Sequence, residues 1–473
     1  MRPSSASPLF ALLVASSALR AQCGTEETFL PDPTSQPVDY FGTAVDLSGD
    51  VAVVGAIQSD GGYYGYYPGP GVVRVFRFDG IQWLHEQSFT NSSPIIGSLF
   101  GTAVATNGAW IVASAQYFHN QIWFFEWDGS SWVERQSFTG GEYYGYRMDV
   151  DGEWAAVVDP IAGAVDLYRL QSGQWSFSQK LTSGLGFINV AVDGTRLLVV
   201  EPAAPGLSQL STYVFNGTLW TLEQTFGPSD PYAHGGALFG HSLSISADVL
   251  VVGMPWDPTG GTATGSAFIF RRVGGSWTLE RQLREPGGPQ AFHYFGFSVA
   301  TNGERVVALT PAYYTKQGTA WTYRYEAGQW TLEIGLRNSK GNFDGFGEDV
   351  DLNGTTLLVG APSAISSDGA AYFFPVTDLT LQVDPKLAPA GTLVSFDTCK
   401  GEPGTPAFLA AVTLNGNPVF LWLAQGTFDN AGKWYYSATV PGGLAGLVVT
   451  CASIGRAESG SVGFTNLQTI RLQ

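Results

Sequence analysis

Residues Phe239–Leu283 read FGHSLSISADVLVVGMPWDPTGGTATGSAFIFRRVGGSWTLERQL. Four short apolar runs lie in this stretch: Phe239 to Ile245, Val249 to Gly253, Ser266 to Arg271 and Trp277 to Leu283. Glycine or polar turn residues bound each run, and none is long enough for an ordinary helix. Runs of this kind predict four antiparallel strands in succession.

The unit recurs along the chain. Its start is repeated at Phe41-Gly42, Phe100-Gly101, Tyr144-Gly145, Phe295-Gly296 and Phe346-Gly347, and in degenerate form at Gly186-Phe187. A tight polar turn follows at a fixed step, as in Ser48-Gly49, Asp151-Gly152, Asp193-Gly194 and Asn353-Gly354. Such pairs close two-residue hairpins because Gly and Asn tolerate positive φ. The fourth run carries a tryptophan (Trp83, Trp132, Trp175, Trp220, Trp277, Trp330), and this strict repetition assigns it to packing between units.

Six units have the fourth run; the seventh, starting at Phe346, stops after its third strand at Val376. The missing strand is expected at the other end of the chain. Glu26 to Leu30 reads EETFL, like EQSFT from Glu86 and EQTFG from Glu223. The expectation is an all-β fold: a seven-bladed β-propeller over 22–377, closed by the N-terminal strand, then a small β-sandwich over 378–473. Closing the ring this way leaves no open edge between first and last blades.

The repeated Phe-Gly start, with Gly360-Ala361-Pro362 and the near matches Gly253-Met254-Pro255 and Gly55-Ala56, resembles the FG-GAP repeat. That repeat builds the propeller of integrin α subunits and of many secreted bacterial proteins. The resemblance covers roughly residues 25 to 377. The integrin-type unit often carries an aspartate-rich calcium loop between its first two strands; here that connection is a tight turn. Asp349, Asp351 and Asn353 are its nearest survivors, and they lack a distal acid. Calcium wants six to eight oxygens, so these residues, and Asp149 with Asp151, read as polar strand-edge residues. No metal and no cofactor is expected.

In an up-and-down blade the 1–2 and 3–4 turns leave one face, and the 2–3 and 4–1 connections leave the other. The first set is uniformly short here. The second is long and irregular, as in 57–71, 254–265 and 227–238. Recognition concentrates on loops held by a rigid scaffold, and the resemblance implies the same face, since integrins bind ligand there. These loops are rich in aromatics: Tyr63, Tyr64, Tyr66 and Tyr67 in one, Tyr117 with His119, Tyr232 with His234, Trp256, and Tyr313 with Tyr314. Tyrosine and tryptophan offer rigid contact area with a polar handle, so these are the candidate ligand-binding residues. The competing reading is that they pack on one another to order the loops.

The first 21 residues have an early Arg2, an apolar run from Leu9 to Leu19 and a small Ala21, the pattern of a secretory leader. Net charge is −17. An acidic surface poor in Lys and Arg argues against nucleic acid and anionic membranes as partners, and no membrane insertion is expected. Secretion permits disulfides, and Cys399 with Cys451 form the natural pair, leaving Cys23 over. The C-terminal segment shows seven strand-like runs and an Asn415-Gly416 hairpin signal, which suggests an immunoglobulin-like sandwich. Two sites, at Asn91 and Asn216, match the glycosylation sequon. No nucleophile elbow, HExxH or phosphate loop is present. The expected function is non-catalytic binding of a protein or glycan at the secreted or cell-surface side. The alternatives are a propeller enzyme acting on polysaccharide, using loop histidines, and a structural matrix component.

Overall fold

In a computed structural model of the chain the described residues are 28–31, 39–58, 69–80, 82–116, 119–183, 186, 189–204, 207–226, 238–311, 318–326, 328–338, 345–363, 369–376, 380–384, 387–388, 393–399, 406–414, 417–427, 434–439, 448–456, 462–464 and 468–472. Among them the protein is all-β, and a seven-bladed propeller of four-stranded sheets takes up most of the chain.

The stretch quoted first is blade 5. Its strands, from the axis outward, are Ser242–Ser246, Val249–Met254, Ser266–Val273 and Ser276–Leu283. Blade 7 consists of Val350–Asn353, Thr356–Ala361, Ala370–Pro375 and, as its outer strand, Thr28–Pro31. Thr28 pairs with Phe373 and Phe29 with Tyr372, so the N-terminal strand closes the ring as the sequence predicts. The innermost strands of the other blades are Phe41–Ser48, Val104–Thr106, Met148–Asp151, Asn189–Asp193 and Val299–Thr301, for blades 1, 2, 3, 4 and 6.

Hydrophobic cores lie between blades. One joins Val51, Val53, Val73 and Val75 of blade 1 to Phe100, Ile111, Trp123 and Trp132 of blade 2. Another joins Trp154 and Val165 of blade 3 to Leu197 and Trp220 of blade 4. The repeated tryptophan is therefore a seam residue. Burying it costs nothing in polarity only if its backbone and indole N–H find partners, and a β-bulge supplies those of the backbone. The register of the outer hairpin slips by one residue in blades 2 to 6, for example between Phe124 and Phe125 and between Thr212 and Tyr213. The residue after the bulge then reaches the next blade. Gln136 bonds both the N–H and the C=O of Trp175, at 2.7 and 2.8 Å. Gln87 does so to Trp132, Gln179 to Trp220 and Gln224 to Trp277.

The repeat glycines are explained by contact. A β-carbon on Gly55 of blade 1 would lie 2.0 Å from the Gly101 carbonyl oxygen of blade 2. The same holds for Gly253 against Gly296 and Gly360 against Gly42, each at 2.1 Å. At these three seams the Phe-Gly start is thus wedged against a glycine of the preceding blade, where any side chain would collide.

The strands after Pro375 belong to a second compact unit. Among the described residues it holds a three-stranded sheet (Thr380–Asp384, Leu393–Cys399, Trp434–Thr439) and a larger second sheet. Two strands, Leu387–Ala388 and Gln468–Leu472, add to the seven read from sequence, and they pair in parallel. Pro406–Leu414 and Asn417–Thr427 form the hairpin expected around Asn415-Gly416. Cys399 and Cys451 stand on strands of different sheets; their side chains, like the leader and Cys23, lie outside the described residues. Among those residues no helix is long and apolar enough to cross a membrane.

Candidate functional site: the axial channel and its long-loop mouth

The seven innermost strands line a channel of about 850 Å³. Each strand is the edge of its sheet, so half its N–H groups would be unpaired where blades meet, and a buried orphan is costly. Side chains of the preceding blade supply the acceptors. Every second residue of an inner strand faces the next blade. Blade 7 uses three such residues on blade 1: Asp349 accepts from Val45 N–H at 2.9 Å, Asp351 from Leu47 at 3.0 Å, and Asn353 from Gly49 at 3.4 Å. Asp46 of blade 1 accepts from Thr106 of blade 2. Asp149 and Asp151 of blade 3 accept from Val192 and Gly194, and Asp193 of blade 4 from Ala247. Ser244 of blade 5 accepts from Thr301. Asn107 and Asn302 donate instead, to the carbonyls of Gly152 and Gly354. The aspartates read from sequence as polar strand-edge residues are therefore clasps between blades. Among the described residues no group of three or more His, Cys, Asp or Glu is placed to hold a metal ion.

The clasps put carboxyl groups where water is scarce. Burial pushes Asp149 up to about 7 and Asp349 up to about 6. Asp46 is raised well above the usual carboxylate range, first by burial and then by the charges of Asp351 and Asp149. Burial raises its neighbour Asp351 as well.

The two ends of the channel differ. Two-residue turns stand at one end, with Ser48 opposite Val51, Asp193 opposite Arg196 and Asn353 opposite Thr356. The inner strands enter the channel at the other. At that mouth stand Arg147, His241, Phe297 and Glu348. His241 packs on Phe297 (ring centroids 4.6 Å) and on Trp256 (5.2 Å), and Trp256 packs on Tyr294 (5.7 Å). Nδ1 of His241 lies 2.9 Å from the Phe297 carbonyl. A carbonyl only accepts, so Nδ1 carries the proton and Nε2 presents a lone pair. Burial, then the nearby Arg147 charge, lowers the His241 pKa to about 4, so the ring is neutral at pH 7.

Of the aromatic candidates read from sequence, the structure describes Trp256 and His119. Trp256 belongs to the mouth cluster. His119 is edge-on to Trp123, with centroids 5.3 Å apart, and does not join it. Tyr63, Tyr64, Tyr66, Tyr67, Tyr117, Tyr232, His234, Tyr313 and Tyr314 lie outside the described residues. Arg147 and Phe297 were missed by sequence reasoning. The signal was available: both sit two or three residues past a unit's aromatic-Gly start, where the chain enters the channel. Another histidine, His293, is tied to Glu285 with Nδ1 2.5 Å from Oε2, both side chains about nine-tenths buried. The sequon at Asn91 is closed to glycosylation, because that residue is 2% exposed. Asn216 is exposed, and its side chain caps its own turn through Thr218 and Leu219.

Comparison with known proteins places part of this sequence. The family description "FG-GAP repeat" matches residues 32–67 and 220–270. These segments contain Gly55 and Gly253, two of the wedged seam glycines. No curated protein matches the sequence. Among solved structures, one titled as the mitotic checkpoint complex is similar at 12% identity and TM-score 0.48, covering 77% of this chain and 98% of that one. A protein from Lactobacillus plantarum is similar at 10% identity and TM-score 0.47, over 82% and 99% of the two chains. Saccharomyces cerevisiae Sqt1 is similar at 9% identity and TM-score 0.45, over 75% and 99%.

Proposed function

We propose that this is a secreted or cell-surface binding protein that recognises a protein or glycan, without catalysis, through the long-loop face of its propeller. One observation carries the reading: one end of the channel carries short hairpin turns, and the other carries the aromatic cluster of His241, Trp256, Phe297 and Tyr294. A leader-like N-terminus and an acidic surface agree with work outside the cell. The integrin likeness of the repeat points to the same face for ligand.

The test is a protein and glycan array probed with the full chain, beside a variant with Trp256, Tyr63, Tyr64, Tyr66 and Tyr67 all changed to Ala. The expected result is a discrete set of hits that the variant loses while its melting profile stays near wild type. Hits that survive in the variant, or a hit that is turned over rather than held, would overturn the reading.

A further inference from the structure

Cations in this acidic chain are few, and many of those described face an acid. Arg74 pairs with Asp39, Arg135 with Glu126, Arg271 with Glu280 and Arg305 with Glu333. Arg147 is different. It is exposed at the channel mouth, and among the described residues its guanidinium has no ion pair or hydrogen bond, only the neighbouring Tyr146 ring 5.9 Å away. It lies within electrostatic reach of Asp349 and His241, which places all three around one opening. Asp349 does not satisfy it, because its carboxylate already accepts from Val45 N–H, Val350 N–H and the Ser298 hydroxyl. An arginine brings five donors in a planar fork that matches a carboxylate.

We propose that the long-loop mouth of the channel binds a hexuronate at the end of a glycan, with Arg147 gripping the sugar carboxylate and the His241–Phe297–Trp256 wall taking the ring face. This rests on the long-loop face being the binding face, and it names the ligand class. Three features select this class. First, His241, Phe297 and Trp256 each keep part of the ring exposed, a platform for the apolar face of a pyranose. Second, neutral His241 adds an acceptor at Nε2 for a hydroxyl. Third, inner-strand N–H groups at Val45, Leu47, Thr106 and Val192 are already clasped, which leaves them unavailable to an acidic peptide laid along these edges. A phosphate monoester brings up to two charges on one group and meets one arginine ringed by Asp349, Glu348 and the deeper aspartates, less positive charge than a dianion needs, whereas a single sugar carboxylate matches one guanidinium.

The experiment is calorimetric titration of the full chain with tri-galacturonate and with its methyl ester, in the wild type, Arg147→Met and Arg147→Lys. The acid is expected to bind at least about tenfold more tightly than the ester, a difference of about 1.4 kcal/mol, and its binding should weaken with added salt. Arg147→Met should bring the acid down to the level of the ester and leave the ester unchanged. Arg147→Lys, which keeps charge but loses the fork, should fall between. Equal binding of acid and ester, retention of the acid preference in Arg147→Met, or no binding of either ligand would overturn the inference. Array hits of another class that the aromatic variant loses would sink this inference alone. An array without hits on that face would remove the binding reading as well.

Discussion

Six of the seven seams between blades come in two kinds. At 1–2, 5–6 and 7–1, backbone meets backbone: Gly55, Gly253 and Gly360 lie against the carbonyl of the next blade's Phe-Gly glycine. Short parallel bridges follow, Gly71 to Phe100, Gly265 to Phe295 and Gly369 to Phe41. At 2–3, 4–5 and 6–7 the equivalent position holds a side chain: Ser114, Val200 and Leu309. There the glycine of the next blade packs on carbon, as Gly240 does on the Val200 methyls. One fold thus tolerates two seam chemistries, provided the volume removed from one strand is supplied by the other. The family description matches segments holding Gly55 and Gly253, and Gly360 makes the same contact outside them.

The largest test of that division adds one methyl group. Gly55→Ala or Gly253→Ala forces a β-carbon into a carbonyl oxygen at about 2 Å, and neither backbone can yield without parting the blades. The loss should exceed about 4 kcal/mol, read from denaturant unfolding. A loss below about 1 kcal/mol would show that these glycines are not wedges.

Acid should stabilise seams inside and outside that division. Asp349 and Asp46 serve the glycine seams 7–1 and 1–2, and Asp149 the 3–4 seam. Their folded pKa values lie above the ordinary carboxylate value of 3.8. The stability tied to their protonated forms is therefore complete below about pH 4 and is lost as pH rises through about 6 to 7. His241 opposes this, with a folded value of about 4 against 6.5; its contribution is present above 6.5 and is lost as pH falls toward 4. Between about pH 8 and about pH 6.5 the carboxyl groups act alone. The melting temperature should rise over that interval by about one to two degrees, and less in Asp149→Asn. A flat or falling wild-type profile would show that these carboxyls are solvated and ionised.

At a side-chain seam the same probe runs in reverse. Val200→Ala removes carbon that Gly240 leans on, leaving a cavity that the 4–5 seam cannot close. The expected loss is about 2 kcal/mol, well short of the glycine insertions. Equal losses at the two kinds of seam would erase the distinction.

Much of the scaffold was legible because repetition multiplies weak signals. One Phe-Gly means little, but seven starts in phase with tryptophans and turns fix strand order and even the closing strand at Thr28–Pro31. The site was less legible. Sequence reasoning went to aromatic loops such as 63–67, whereas Arg147 becomes notable only when its neighbours' bonds are counted, and that count is tertiary. The roles of Asp349 and Asp351 were hidden for a similar reason. Calcium-loop logic asks about residues nearby in sequence, but their partners Val45 and Leu47 lie 304 residues away.

The smallest effect concerns the outer seam, where the comparison can be repaired instead of broken. The bulge residue of one blade, or in blade 1 the residue before Gln87, meets the indole of the next: Glu86 accepts from Trp132 Nε1 at 2.8 Å, Glu223 from Trp277 at 3.1 Å, and Glu280 from Trp330 at 2.8 Å. Where the bulge carries Arg135 or Ser178 instead, Nε1 of Trp175 and of Trp220 is buried with no partner among the described residues. A missing partner, not a different fold, accounts for both orphans. Ser178→Glu should therefore stabilise the 3–4 seam by about 1 kcal/mol, the net value of one satisfied hydrogen bond. Arg135→Glu should gain less, since Arg135 already holds Glu126 at 2.9 Å. A shift of the Trp220 indole N–H resonance in Ser178→Glu, without a rise in unfolding midpoint, would show that the bond forms but that desolvating the carboxylate cancels it. No shift at all would show that the bulge does not aim its side chain at the indole.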